Sequence, residues 1–287
     1  PLPNISGYTG QYKNVGAINN KGLEISLNAD VIRTSKFQWT SDFNIGFNRN
    51  RVTELYGGKP ELKGLKRLEE GRDMDEWYLR EWAGVDPANG SPLWYTTDEN
   101  GKRTTTDSYN KADRVYCGSA APKFTGGWMN SFSYKGFTLT ANFDFVYGNL
   151  LYNQSRELLD SDGAYADYNS MKLKSGWKRW EKEGDIATHP KAINGGNKNS
   201  NKSSSRYLEK GNYFSLRNLS LGYSIPEKLC GKLGLQRVNV SCSADNLFTL
   251  TPFSGVSPQL SDSSTDGYAG TIYPLSRRIV FGLNVSF

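Results

Sequence analysis

Long segments of alternating residues are the feature that most limits what this chain can fold into. In residues 37–47 and 137–147, apolar or aromatic side chains occupy almost every second position, with mostly polar ones between them. Successive side chains of a strand point to opposite faces, so each segment predicts a strand with one apolar and one polar face. Residues 23–31, 124–134, 213–223, 237–245 and 278–287 follow the same pattern. The sequence therefore predicts an all-β protein.

The predicted strands are unusually long. Residues 37–47 and 137–147 each cover about eleven positions, whereas strands of soluble sheets most often have about 5–6 residues. At about 3.3 Å per residue and a tilt near 45°, such a strand spans about 25 Å, the height of the apolar band of an outer-membrane barrel. Aromatic residues mark the strand ends, as in the interfacial girdle of such barrels. They are Phe37, Phe47, Tyr134, Tyr147 and Tyr223.

The connections alternate in length, which favours a membrane barrel over a soluble sandwich. Outer-membrane barrels have short periplasmic turns and longer extracellular loops. The short connections are at 33–36, 85–90, 135–136 and 226–234, and the long, polar ones are at 48–76, 148–205 and 246–272. Two less certain strands, around 77–83 and 93–97, flank the turn at 85–90 and bring the count to about nine. Single-chain bacterial barrels have even numbers, so we expect further strands N-terminal to Pro1.

Composition agrees with a sheet that is apolar on one side only. Aromatic residues make up 13% of the chain, and the apolar fraction is 37%. The net charge of +6 is carried by lysines and arginines in polar segments. No base-stacking or groove-reading motif accompanies these cations, so we expect no nucleic-acid partner. The three cysteines lie far apart and predict no disulfide framework.

Four segments, in order along the chain, resemble motifs of one family. They are residues 14–25 (N-x-G-x-x-x-N-x-G-hydrophobic-E-hydrophobic), 118–127 (G-S-x-x-P-K-F-x-x-G), 213–223 (Y-x-x-L-R-N-L-x-L-G-Y) and 244–250 (x-x-N-L-F-T-L). Together they resemble the C-terminal end of a SusC-like (SusC/RagA-type) TonB-dependent outer-membrane transporter. The resemblance covers nearly the whole chain, from about residue 14 to residue 287.

The resemblance implies a multi-pass antiparallel transmembrane β-barrel of the cell outer membrane, with a plugged lumen and about 22 strands. Residues 1–287 are then the C-terminal part of that barrel, without its plug and N-terminal strands. The family implies import of oligosaccharides or peptides, energised through TonB, with a SusD-like lipoprotein over the extracellular mouth. It implies no cofactor. Two alternatives remain open: a passive porin-like barrel, and a soluble glycan-binding or adhesin β-domain.

The last strand resembles the signal that the barrel-assembly machinery reads. Its apolar residues share one face and end in a terminal aromatic side chain, so we expect this strand to direct insertion. The residues are Ile279, Phe281, Leu283, Val285 and Phe287.

Charged residues on the polar strand faces are interpreted as facing the lumen. They are Glu24, Asp42, Asp144, Arg217 and Asp245. Paired carboxylates can form a hydrolase site, but no spacing signature marks such a pair, so we expect no enzyme. His189 is the single histidine, and residues 160–163 depart from the calcium-loop template. We therefore expect neither a catalytic site nor a metal site.

Four aromatic residues of the loop 148–205 are candidates for contact with substrate or lid: Tyr165, Tyr168, Trp177 and Trp180. Their rings could stack on sugar faces at the extracellular mouth. The alternative is a packed loop, because Met171, Leu173, Trp177 and Trp180 approximate one face of a helix.

Overall fold

A computed structural model describes residues 16–260, 267–270 and 272–287. Its main element is a seven-stranded antiparallel sheet, in which each strand pairs with the next member along the chain. We number these wall strands in chain order. They are β1 (Ala17–Arg33), β2 (Phe37–Glu54), β3 (Phe124–Tyr134), β4 (Phe137–Tyr147), β5 (Tyr213–Ser224), β6 (Arg237–Leu250) and β7 (Arg278–Ser286).

One face of this sheet is apolar across all seven strands. Residues paired directly opposite each other share a face, and the register places Leu23 against Phe47 and Cys242 against Phe281. Aromatic rings stack from strand to strand, for example Phe43 on Phe145 with ring centroids 5.9 Å apart. Large side chains on this face stay exposed, Phe281 at 80%. A soluble sheet would bury such a face, whereas lipid covers it in a membrane barrel.

The connections sort by length between the two ends of the sheet, as the sequence predicts. At the short-turn end, the linking residues are 34–36, 135–136 and 225–236. At the long-loop end, they are 55–123, 148–212 and 251–277. β7 runs toward the short-turn end, where the chain terminates.

The sheet has seven strands in the described part of the chain, two fewer than the nine that the sequence suggests. Glu76–Arg80 and Pro92–Thr97 are strands, but both belong to small sheets of the first long loop. They are only 5 and 6 residues long and carry the fully buried Trp77 and Trp94. The turn at 85–90 therefore lies inside a long loop. The alternation of short and long connections could not reveal this. Taking a pair of strands out of the wall does not change the direction of the strands that remain.

The long loops fold into three small sheets and a few short helices. The sheets consist of Glu61–Lys63, Lys66–Leu68, Glu76–Arg80 and Arg114–Ser119; of Trp82–Val85, Pro92–Thr97 and Arg103–Thr106; and of Leu150–Asn153, Leu208–Lys210 and Tyr268–Ala269. The α-helices are Ser155–Leu159 and, at the short-turn end, Glu227–Lys232; the 3-10 turns are Tyr56–Gly58, Tyr109–Lys111 and Ser205–Tyr207. No helix in the described segments is long and apolar enough to cross a membrane.

The loops share a core of aromatic side chains beyond the long-loop end of the wall. Trp77 of the first loop packs against Tyr152 of the second and Tyr268 of the third, with ring centroids 5.7 and 5.2 Å away. The Trp77 indole N–H donates a hydrogen bond of 2.9 Å to the carbonyl oxygen of Leu150. Burying such rings stabilises a fold by several kcal/mol. The three loops therefore form one packed cap.

Candidate functional site

The candidate residues occupy three places: the polar face of the wall, the second long loop, and the last strand. The five charged residues predicted to face the lumen share the polar face, opposite the exposed apolar side chains. Asn14 and Val15, the first two residues of the first family motif, lie outside the described residues.

Asp144 of β4 is bound from the neighbouring strand β5. The Tyr213 hydroxyl donates to Asp144 Oδ2 over 3.1 Å, and Arg217 Nε lies 3.6 Å from Oδ1. Arg217 sits where the β4–β5 register shifts, so a bulge in β5 directs its guanidinium toward Asp144. This pair crosses two strands and fixes both side chains on the polar face.

Asp245 of β6 forms the second charged pair of the wall. Arg278 of β7 donates from Nε and Nη2 to Asp245 Oδ2, over 2.9 and 2.7 Å. Asn218 Nδ2 of β5 donates to Oδ1 over 2.7 Å. The carboxylate therefore joins three successive strands through charge-assisted hydrogen bonds, which are stronger than neutral ones.

The remaining two polar-face acids differ from each other. Asp42 accepts a hydrogen bond from the Asn28 amide directly across the β1–β2 pair. Glu24 lies opposite Gly46 and makes no ion pair with the residues that the structure describes. Because Asp144 and Asp245 pair with arginines and Asp42 with an amide, none of the three is held ready for acid–base chemistry.

A buried ion cluster organises the second long loop. Asp160 accepts from Arg156 over 2.8 Å, and Asp162 accepts from Arg179 over 2.7 Å and from Arg206. Both aspartate side chains have 0% exposure. Arg156 also pairs with Glu209 over 3.0 Å, so three guanidiniums meet three carboxylates. The cluster is thus internally neutralised, as buried charges must be.

The surroundings of Asp160 lower the pKa of its carboxyl group. Burial acts to raise its pKa, but the hydrogen bond from His189 and the charge of Arg206 outweigh burial and hold the pKa at about 2. His189 Nε2 lies 3.0 Å from Asp160 Oδ2, and Nδ1 lies 2.8 Å from the Thr188 hydroxyl. The single histidine therefore joins Thr188 and Asp160 by hydrogen bonds inside the loop.

The segment 160–163 is not arranged as a cation loop. The carboxylates of Asp160 and Asp162 are already engaged by arginines, and Ser200 donates to Asp162 over 2.7 Å. Among the described residues, no group of three or more His, Cys, Asp or Glu side chains could hold a metal ion.

The four aromatic candidates of this loop divide into two pairs. The rings of Trp177 and His189 are tilted against each other with centroids 4.9 Å apart, and the Arg156 guanidinium lies over Trp177. The buried Trp180 donates from Nε1 to the Pro87 carbonyl over 3.0 Å. Tyr165 and Tyr168 are 38% and 55% exposed, with ring centroids 5.4 Å apart. The tryptophans therefore pack the loop, and the tyrosines lie on its surface.

The expected helical face of residues 171–180 does not form. This stretch is irregular, and the one α-helix of the loop is Ser155–Leu159. The aromatic spacing alone suggested a helix, but the tryptophans are held by Arg156, His189 and Pro87, which lie far away in sequence. Sequence reasoning also missed Arg156, Arg179 and Arg206. Their only signal was that a loop carrying Asp160 and Asp162 also holds several arginines.

The apolar residues of the last strand lie on the apolar face of the sheet. Ile279, Phe281 and Leu283 are 61–80% exposed, and Phe287 follows the end of β7 with 84% exposure. Val285 pairs with Val238 of β6. Four of the five side chains of this row are therefore exposed, and Val285 is half-buried.

Curated proteins similar to this chain are TonB-dependent receptors. Receptor P3 of Formosa agariphila is 29% identical over 323 residues, covering 100% of this chain and 30% of the receptor. SusC of Bacteroides thetaiotaomicron is 22% identical and covers 96% of this chain and 27% of SusC. No family model matches the chain. None of these relatives is named as an enzyme.

Solved structures of similar fold also cover the chain completely. The RagAB peptide transporter superposes with a TM-score of 0.84 at 28% identity. The RagAB peptide importer in its "open-open" state gives 0.83 at 27%. This chain spans 31% of the length of the matched chain in either structure. The agreement in fold therefore concerns somewhat less than a third of each relative.

Proposed function

We propose that the complete protein imports oligosaccharides or peptides with energy delivered through TonB. This chain resembles SusC-like TonB-dependent transporters over its length and is part of an outer-membrane β-barrel. The chain supplies the C-terminal wall and the cap formed by its long loops. The observation that carries the proposal is the seven-stranded sheet, apolar on one face and polar on the other. Its full superposition on RagAB supports it further.

We infer that the long loops are extracellular and form the docking side for a SusD-like lipoprotein. Barrels carry their longer loops outside, and here those loops pack into one cap around Trp77, Tyr152 and Tyr268. The polar face, with Glu24, Asp42, Asp144, Arg217 and Asp245, then faces the lumen. The barrel-assembly machinery is the partner that the last strand serves during insertion.

The import proposal is tested by uptake in cells that carry or lack the complete gene. Labelled oligosaccharides and labelled peptides are supplied in parallel, with and without a protonophore. We expect gene-dependent uptake of one class, abolished by the protonophore, because TonB transmits the proton-motive force. Uptake that persists without the force means a passive porin. Surface binding by a protein that leaves the membrane without detergent means a soluble binding domain.

Tyr165 and Tyr168 are the proposed contact for substrate or lid in the second loop. Both are exposed and lie outside the ion cluster, so replacing both by Ala leaves that cluster intact and removes only the 3.3 Å hydrogen bond that the Tyr165 hydroxyl accepts from Asn201. We expect uptake or lipoprotein co-purification to fall about thirtyfold, given that two aromatic contacts contribute about 1 kcal/mol each. Tyr56→Ala, an 80% exposed tyrosine of the first long loop, is the matched control. Equal values for both variants would refute the contact.

A further inference from the structure

A group of three cations on the apolar face of the wall has no role in the features above. Lys21 of β1 lies directly opposite Arg49 of β2, and Arg51 is the next outward residue of β2. Because Leu23 and Phe47 pair two positions away, Lys21, Arg49 and Arg51 share the face of the exposed apolar residues. All three are exposed. We name them the basic cluster.

The basic cluster lies just beyond the edge of the apolar belt. Phe47, Phe124 and Tyr147 form an aromatic row across β2, β3 and β4, with successive ring centroids 5.8 and 5.1 Å apart. Arg49 follows Phe47 by two residues, a rise of about 7 Å toward the long-loop end. Aromatic rows mark the membrane–water interface. The three cations therefore stand at the depth of lipid phosphates.

The cluster has no acidic partner within the part of the chain that the structure describes. None of its members forms an ion pair, and the acids closest to it in sequence on these strands, Glu24 and Glu54, lie opposite Gly46 and Ala17. Like charges directly opposite each other destabilise a strand pair. The Lys21–Arg49 pair therefore carries an electrostatic cost that an anion from outside the chain would remove.

This arrangement is confined to one end of one strand pair. At the short-turn end of β1, Arg33 pairs with Asp30 over 3.3 Å. At the long-loop end of β3 to β6, the outward residues are Phe124, Tyr147, Phe214 and Leu250, which carry no charge. The first outward residue of β7 is Ile279, and the exposed Arg277 lies just before that strand. The basic cluster is thus a local feature of β1 and β2.

We propose that the basic cluster binds the phosphate-bearing headgroup of a lipid in the outer leaflet, whose acyl chains lie along the apolar face below it. Two guanidiniums and an ammonium can share a phosphate, since arginine donates two parallel hydrogen bonds to it. The exposed side chains of Leu23, Ile25 and Leu27 continue directly beneath the cluster as a surface for the acyl chains. This inference rests on the orientation under the proposed function, in which the long loops are extracellular.

The test uses the complete transporter purified from outer membranes in mild detergent, with bound lipid quantified by mass spectrometry per mole of protein. We expect K21Q/R49Q/R51Q to retain about a hundredfold less phosphate-bearing lipid than wild type, because each of the three cations strengthens binding near an anionic surface about fivefold. The matched control K36Q/K228Q/K232Q removes the same charge from exposed lysines of the short-turn end and should retain the wild-type amount. K21R/R49K/R51K, which keeps the charges, should retain most of it.

Equal lipid retention by the triple variant and its control would overturn the proposal. So would release of the lipid by excess inorganic phosphate, which would mark a general phosphate site. Heat-modifiable migration checks folding, and Arg49→Gln alone keeps the test valid if the triple variant assembles poorly. The measurement contains neither substrate nor TonB. If the complete wild-type protein imports neither substrate class but still retains more lipid than the triple variant, only the proposed function is refuted.

Discussion

At the scale of single residues, the second long loop depends on buried charges. Asp160 and Asp162 are fully buried and form ion pairs with Arg156, Arg179 and Arg206. Breaking one partner of such a network leaves the others buried and unpaired, which is more costly than losing a surface ion pair. The loop therefore holds its shape through electrostatics as much as through its aromatic core.

Asp160→Asn should open this loop. The change leaves buried guanidiniums without their counter-charge. We therefore expect the free energy of local opening of the loop to fall by about 3 kcal/mol. Hydrogen exchange of residues 155–210 in the complete protein measures it. Asp107→Asn, which breaks the exposed pair with Lys198, is the control and should cost at most about 1 kcal/mol. Equal protection in both variants would contradict the role of the cluster.

The same aspartate predicts a response to acid. The pKa of Asp160 is about 2 in the folded loop, below its ordinary value of 3.8, so ionised Asp160 stabilises the loop fully above that ordinary value. This stabilisation is lost as the pH falls from about 4 through about 2. Pepsin, which is active across this window, should cut the wild-type loop increasingly as the pH falls. In the Asp160→Asn variant, the extent of cleavage should be similar at every pH of this window, because the ionised carboxylate is already absent.

At the scale of elements, the hairpin between β3 and β4 contains a suboptimal turn. Lys135 and Gly136 have φ of 46° and 86°, and a two-residue hairpin with both φ values positive favours Asn-Gly. Lys135→Asn should therefore stabilise the barrel by up to about 1 kcal/mol. Urea unfolding of the complete protein in lipid vesicles measures the gain. Lys36→Asn, at a turn position without positive φ, should give none.

The last strand makes a prediction about assembly. Phe287 is 84% exposed and follows the end of β7, so its loss removes little packing from the described wall. Deleting Phe287 should nevertheless lower the amount of heat-modifiable barrel in outer-membrane fractions, because the terminal aromatic completes the assembly signal. Phe287→Trp keeps an aromatic ring and serves as the control. An unchanged amount after deletion would show that β7 acts only as a wall strand.

At the scale of the whole molecule, the sheet has two free edges. β1 and β7 each pair on one side only within the described residues, and unpaired backbone groups in lipid cost several kcal/mol each. The chain produced alone should therefore form no stable pore. Planar-bilayer recordings would show no discrete conductance from it. Stable single-channel events from this chain alone would mean that seven strands can close a barrel.

The sequence by itself determined the wall. Alternation within a strand is a local property, so the apolar and polar faces, the long strands and the sorting of loops by length were all readable, as was the family resemblance.

Only the tertiary structure decided the contents of the loops. Trp77 and Trp94 lie in short strands that alternate like wall strands, and burial against other loops assigns them to the cap. Trp177 and Trp180 took their places through Arg156, His189 and Pro87, partners that no local pattern encodes. Strand periodicity depends on neighbouring residues, whereas loop packing depends on contacts between residues far apart in the chain.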